Sequence, residues 1–487
     1  MLRSKINFSI IFKIIGILLI IEGFFIFLCL PFSIYYGSED FYPILNSGLI
    51  TVCVGLFLWF VFRNASNKNI GKKNAYIIVT SVWLIMSVFG TLPYILSGEI
   101  PNFTDAFFET ISGFTTTGAS ILTDVESVSK GVLFWRSMTH WIGGMGIIVL
   151  SIAILPILGV GGMQLFIAET SPGTKPEKLH PRIKETAQRL WGIYVLLTFF
   201  ETGFLMLGHM NLFDALCHSF GTIATGGFST QNSSIANYSS YIQYVIIFFM
   251  FLSGTNFTLH YFSLHGKFKK VFKNEEYKWY AFILFSLSII ITFILFFSRD
   301  ITFEKAFRDS LFQVVSIGTC TGFATTDYMH WPVIGYSLIF FLMFSGGSVG
   351  STSGGIKIMR HVLLFKNIKL QIKKIIHPTA VIPLRLNDKP VSKDIVTNVI
   401  AFFIVYFITF IIGSIILISS GLDLDSAMGG VASCLGGIGP GLGSVGPVSN
   451  YAEISIISKW TLSVIMLLGR LELFSVIILF SRSFWRK

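Results

Sequence analysis

Four times along this chain a short apolar segment, too short to cross a bilayer, runs into a glycine-bearing loop between two longer apolar stretches. The first copy is DAFFETISGFTTTGAS, residues 105–120. The layout returns in DALCHSFGTIATGGFS from Asp214 and in DSLFQVVSIGTCTGFAT from Asp309. In each of these three the aspartate stands thirteen residues before a glycine: Gly118, Gly227 or Gly322. A looser fourth copy, LDSAMGGVASCLGGIGPGLG, puts Gly441 in the glycine position, with Asp425 further upstream. An aspartate at the start of such a segment reads as the N-cap of a short helix, as Asp105 does in the first copy. Four copies of one unit predict four pseudo-equivalent pieces around a common axis.

The flanking stretches are each about 20 residues, the length a helix needs to cross a hydrocarbon core. They fall near residues 75–96 and 133–157, 190–207 and 241–264, 279–297 and 331–344, and 395–419 and 460–480. The stretch at 331–344 continues after an interruption. Two more, up to about residue 34 and over 43–61, come first. The earliest is too long for a signal-peptide core and has no small-residue cleavage site, so it is expected to stay. Glu22 lies within it and is expected to be buried against a partner helix. The prediction is an all-α polytopic membrane protein of about ten transmembrane helices. An N-terminal helix pair (1–70) precedes four pseudo-symmetric membrane–pore–membrane repeats (71–160, 161–270, 271–390 and 391–487) around a central pore.

Composition excludes the soluble classes. Hydrophobic residues make up 53% and charged residues only 13% of the 487, with mean hydropathy +0.72. The net charge of +11 does not point to nucleic acid. The basic residues cluster at 63–73, 175–184, 267–278, 357–393 and 482–487, all on the side of the N-terminus. By the positive-inside rule that side is cytoplasmic, both termini included, and the glycine loops open outward. The five cysteines, Cys29, Cys53, Cys217, Cys320 and Cys434, are scattered without a CxxC pair, which argues against a disulfide framework or zinc site. The longest polar stretch, 366–393, is a connector, and no soluble domain is expected.

Non-helical backbone at membrane depth must be buried in protein or line a water-filled path, because its unpaired N–H and C=O groups have no partner in hydrocarbon. Four glycine loops meeting at one axis satisfy that condition. Their carbonyl oxygens can replace the hydration shell of a monovalent cation. Glycine takes φ > 0 without steric penalty and so lets successive carbonyls turn inward. The short helices would aim their C-terminal ends at the path, where their partial negative charge favours a cation. Thr115, Thr116, Thr117, Thr225, Ser229, Thr319 and Thr321 add hydroxyls that can brace the loops or touch the ion. A single such loop could equally be a close helix contact. Three at a matched offset, with a looser fourth, argue for the path.

The segments FFETISGFTTTGAS, HWIGGMGIIVLSIAILPILGVGGMQL, HSFGTIATGGFST, TGFATTD, GGSVGSTSGGIKIMR, IGPGLG and LLGRLELF carry a specific resemblance. The chain resembles the TrkH/TrkG branch of the Trk–Ktr–HKT family of potassium transporters over nearly its whole length, the two extra N-terminal helices included. The resemblance implies that each module is like a quarter of a potassium channel, with filter glycines at Gly118, Gly227, Gly322 and Gly441. It implies a potassium filter made by Thr116, Thr117, Gly118, Thr225, Gly226, Gly227, Cys320, Thr321, Gly322, Gly439, Pro440 and Gly441. Some plant relatives that carry sodium have serine at the first filter glycine; Gly118 stands there in this chain, so the resemblance favours potassium.

Two further features fit a gate. SGGSVGSTSGG, residues 345–355, interrupts a long helix with five glycines, each costing about 1 kcal/mol of helix stability relative to alanine. The resemblance makes this segment an intramembrane loop that obstructs the pore, with Gly346, Gly347, Ser348, Gly350, Gly354 and Gly355 as gate residues. Lys357 and Arg360 just beyond it are expected to face the cytoplasm. Arg470, inside the last apolar stretch, is costly there unless it faces water or a carboxylate. The resemblance places it in the pore below the filter; the bland alternative is an ion pair with Glu472 or Glu109. Asn256 and His260 either line the inner cavity or join helices by hydrogen bonds.

The expected function is potassium uptake across a bacterial cytoplasmic (inner) membrane, driven largely by the inside-negative potential. The transported ion is K+, with no organic cofactor in this chain. The resemblance implies a homodimer and a cytosolic TrkA-like nucleotide-binding regulatory subunit; membrane lipid surrounds the protein, and nucleic acid is not a partner. No Walker A or Rossmann fingerprint is present, so nucleotide sensing belongs to that partner. One alternative is transport of sodium or of monovalent cations with little selectivity. Another is a membrane-embedded serine hydrolase, since residues 346–350 match G-x-S-x-G and His140, His218 or His260 could serve as base. That reading leaves the fourfold repeat unexplained, and the chain is not expected to be an enzyme.

Overall fold

The computed structural model describes residues 6–65, 72–149, 180–380 and 382–486. The start of the connector expected at 175–184, the end of the helix expected over 133–157, and parts of 1–8, 63–73 and 482–487 lie outside the described residues.

Apolar residues dominate the first helices, and small residues decide how closely they pack. Helix Phe8–Phe27 lies against Phe41–Val61. A side-chain carbon added at Gly16 would stand 2.8 Å from the Gly55 carbonyl oxygen, and one added at Gly55 the same distance from that of Gly16. Without a hydrophobic drive between helices in lipid, such close backbone approach is what holds a pair together.

Among the described residues six helices are long and apolar enough to cross a membrane: Phe8–Tyr36, Phe41–Val61, Lys73–Ser97, Gln188–Leu207, Glu275–Ser298 and Lys393–Ser419. Two bent pairs bring the number to eight: Ser240–Ser253 with Phe257–Leu264, at 103°, and Ile456–Arg470 with Phe474–Phe480, at 109°. Of the ten spans expected, the one over 133–157 appears as Lys130–Val149 and the one over 331–344 as the short helix Val333–Leu342. At the first bend Asn256 caps the second half by accepting from the Thr258 N–H at 2.8 Å. At the second bend two non-glycine residues, Glu472 and Leu473, sit at φ 57° and 53°. Each such left-handed residue costs about 1–3 kcal/mol, so surrounding contacts must hold the break in place.

Four short helices lie between the long ones: Phe103–Phe114, Leu212–Ile223, Phe303–Gly318 and Leu424–Gly436. In the first, every residue from Ala106 to Phe114 is buried. Their N-caps differ from the expected aspartates. Asn102, Asn211, Thr302 and Asp423 accept the first-turn N–H groups, so Asp105 and Asp214 are first-turn residues and Asp309 lies a turn further in. The aspartates bind across the fold instead. Asp105 pairs with Lys459 at 2.6 Å, and Asp214 accepts from the Thr230 hydroxyl at 2.6 Å.

Candidate functional site

The four loops leave their helices by one backbone path. In the first three, a non-glycine residue turns left-handed just after the helix: Thr116 at φ 51°, Thr225 at 54° and Cys320 at 57°. Two residues later a glycine does the same: Gly118 at 81°, Gly227 at 79° and Gly322 at 85°. The residue between them returns its N–H to the carbonyl five residues back, Thr117 to Ser112, Gly226 to Gly221 and Thr321 to Ser316, at 2.7–2.9 Å. In the fourth loop Gly437 is left-handed at 69°, the Ile438 N–H reaches Ser433 O at 2.9 Å, and Gly439 stands at 101°.

That pattern corrects the sequence alignment. The residue matching Gly118, Gly227 and Gly322 is Gly439, and Gly441 lies two residues beyond it. The offset of thirteen counted back from Gly439 lands on Ser426, which carries no charge and accepts the Ser444 N–H at 2.7 Å.

The loops close on each other in cyclic order. A carbon added at Gly118 would overlap the Gly226 carbonyl oxygen; at Gly227, that of Thr321; at Gly322, that of Ile438. At Gly439 it would come within 2.7 Å of Thr117 O, which completes the ring. All four glycines line one cavity of about 170 Å³, together with Ser120, Asn232, Pro440 and Tyr451.

Side chains behind the ring brace it. Thr115 and Thr117 hydroxyls lie 2.8 Å apart, as do those of Thr319 and Thr321, and Thr115 and Thr319 donate to Ile111 O and Val315 O. Loops one and three are therefore stitched by threonine, while loops two and four carry Ala224 and Gly436 at the first of these positions. The Thr225 hydroxyl donates to the Ala224 carbonyl, and Ser229 faces His218 Nε2 at 3.0 Å. Tyr451 donates its hydroxyl to Gly439 O at 2.8 Å, and Tyr328 donates to Gly441 O at 2.6 Å.

Arg136 is the tie that sequence reasoning missed. Its Nε meets Glu109 Oε1 at 2.7 Å, its Nη1 donates to Ser229 O at 2.9 Å, and its guanidinium lies 3.6 Å from the Phe228 ring centre. Glu109 in turn accepts from the Ser120 hydroxyl and the Ile121 N–H. One buried ion pair thus joins loop one to loop two. A buried-span arginine 27 residues after a buried-span glutamate was the available signal.

Residues 345–355 form a folded loop pressed against the underside of the helices. Gly346 N–H reaches Ile356 O at 2.9 Å, Gly347 N–H reaches Ser353 Oγ at 2.8 Å, and Ser348 N–H reaches Gly254 O at 2.8 Å. Ser353 donates to Thr319 O at 2.7 Å, and Thr352 to Ile223 O at 3.0 Å, so the loop hangs from the ends of two short helices. A carbon at Gly354 would overlap Gly436 O, at the end of a third. Gly350 and Gly355 take φ 76° and 65°. Glu276 accepts the Val349 N–H at 2.7 Å from below.

Arg470 is buried beside this loop. It donates to Thr352 O at 2.8 Å and to Gly143 O at 3.2 Å. Its expected ion-pair partners are engaged elsewhere, Glu109 with Arg136 and Glu472 with Arg360. Lys357 and Arg360, expected at the cytoplasmic face, are both buried; Lys357 donates to Ser353 O. Asn256 and His260 bond within their own bent element, His260 Nε2 to Leu252 O at 2.8 Å. The histidines weighed as hydrolase bases do not reach Ser348: His218 faces Asp214 O and Ser229, and His140 stacks on Phe228.

Residues 42–487 match the family described as TrkH, cation transport protein. The Trk system potassium uptake protein TrkH of Escherichia coli K12 is 39% identical over 99% of this chain and all of its own length. The Trk system potassium uptake protein TrkG of the same strain is 33% identical over 93% of this chain and 94% of its own. The crystal structure of the potassium transporter TrkH from Vibrio parahaemolyticus superposes with a TM-score of 0.90 at 35% identity, covering 99% of this chain and all of that one.

Proposed function

The chain belongs to the TrkH family of cation transport proteins, and from that premise we propose that it takes up potassium through the ring of four glycine loops. One observation carries the reading: each loop's glycine is pressed against a carbonyl of the next loop, in unbroken cyclic order. Alternating left-handed and ordinary φ turns successive carbonyls to one side, which is how main-chain oxygens come to surround a dehydrated cation. The four helix ends beneath add partial negative charge. Thr116, Thr117, Gly118, Thr225, Gly226, Gly227, Cys320, Thr321, Gly322, Ile438 and Gly439 form the filter, with Pro440 and Gly441 just outside it.

The glycine-rich loop is the gate. Its bonds to the short-helix ends hold it across the path below the ring, and Arg470 sets a positive charge beside it. The protein sits in the inner membrane with both termini cytoplasmic and works as four repeats behind an N-terminal pair. The protein assembles as a homodimer with a cytosolic, nucleotide-binding TrkA-like subunit docked on the basic cytoplasmic connectors; naming of the relatives as parts of a Trk system supports the partnership with a further subunit.

Ion flux into liposomes holding the purified protein tests the reading. Potassium and rubidium should enter at least tenfold faster than sodium or lithium. Sodium entering as fast as potassium would overturn it.

A further inference from the structure

Away from the ring, a cavity of about 280 Å³ lies between helices Phe8–Phe27, Lys72–Phe89 and Lys130–Val149. Every side chain lining it is apolar or aromatic except Glu22. Glu22 is fully buried, and neither carboxyl oxygen has a hydrogen-bond partner among the described residues. A buried carboxyl without a partner is costly, and an apolar cavity with a single polar group is a poor home for water, which needs two to four partners. One wall residue, Ile21, is 44% exposed at the outer face of the bundle, so the cavity has a lipid-side edge. Its inner wall is formed by Phe114, the last residue of the first short helix, and by Gly143, whose carbonyl accepts from Arg470.

We propose that this cavity is a second binding site, taking a compact hydrophobic amine from the lipid phase. Its ammonium pairs with the Glu22 carboxylate, and its hydrocarbon body fills the apolar walls. The space is roughly twice the 150 Å³ engineered cavity that accepts benzene, which sets the ligand at about a dozen non-hydrogen atoms. Bound there, it packs against the residue that leads into the first loop of the ring. The site stands apart from the potassium path and does not depend on how ions pass through it.

Equilibrium binding of radiolabelled 1-adamantylamine to the full chain in nanodiscs tests the site, with protein-free nanodiscs as the lipid control. The wild type should show saturable binding, weakened at least tenfold by Glu22→Gln, and 1-adamantanol should compete poorly. Gly146→Val gives an independent arm. A carbon at Gly146 meets nothing nearer than Trp83 at 3.7 Å, so a side chain there takes up space in the cavity and should abolish binding. Thermal unfolding of each variant verifies the fold, and potassium flux should persist in both. Partitioning equal to protein-free nanodiscs, or equal affinity in Glu22→Gln and wild type, would overturn the proposal.

Discussion

Gly227 and Gly203 stand 24 residues apart, and their surroundings give them opposite roles. Gly227 sits at φ 79° with Thr321 O where a side chain would go; Gly203 lies in helix His180–Leu207 with nothing within 4 Å. Gly203→Ala should gain up to about 1 kcal/mol of stability from helix propensity and leave flux unchanged. Gly227→Ala should collapse potassium-over-sodium discrimination toward unity, read by competitive rubidium uptake. Retained discrimination would remove the ring from the ion path. Arg470 raises a second residue-scale question, because it carries a charge and also holds two carbonyls. Arg470→Ala should raise potassium flux several-fold, with Arg470→Lys intermediate; an unchanged rate in Arg470→Ala would reduce the residue to a brace.

At the scale of elements, the pair Arg136–Glu109 holds loop one to loop two from behind. Removing one member leaves the other charge buried and uncompensated. Arg136→Met should therefore cost about 3–5 kcal/mol, seen as a lowered unfolding midpoint in detergent. The double variant Arg136→Met, Glu109→Met should lose less than Arg136→Met alone. Additive losses would mean that the two side chains act separately. The glycine loop is the second element whose position rests on such ties. It hangs from Thr319 O and Ile223 O by two hydroxyls, with a single β-bridge between Ser345 and Ile356 at its neck.

For the whole molecule, the proposed path calls for no coupling ion, and uptake through it should then follow the membrane potential. At about 2.3 kcal/mol per charge for each 100 mV, liposomes held at 100 mV inside-negative should accumulate potassium to about 50-fold. Accumulation well above that value would require a coupled second ion.

Much of the architecture was legible in the chain because lipid leaves few choices: backbone polar groups must be satisfied within a helix or beside a path. Apolar runs of 20 residues therefore announced spans, and the shorter ones ending at Gly118, Gly227 and Gly322 announced re-entrant loops. The caps were misread, since Asp105 and Asn102 lie three residues apart and both suit a helix start. The fourth loop was misaligned for a related reason: Gly437, Gly439 and Gly441 are alike as letters, and only φ and the Ile438 N–H bond select Gly439. Likewise, the closed ring, the buried link through Arg136 and the bends at Asn256 and Glu472 depend on contacts between residues far apart in sequence. Local pattern marked the segments long and apolar enough to span a membrane, because hydrophobic length is a property of a segment. Packing alone decided which atoms meet at the axis, because that is a property of four segments at once.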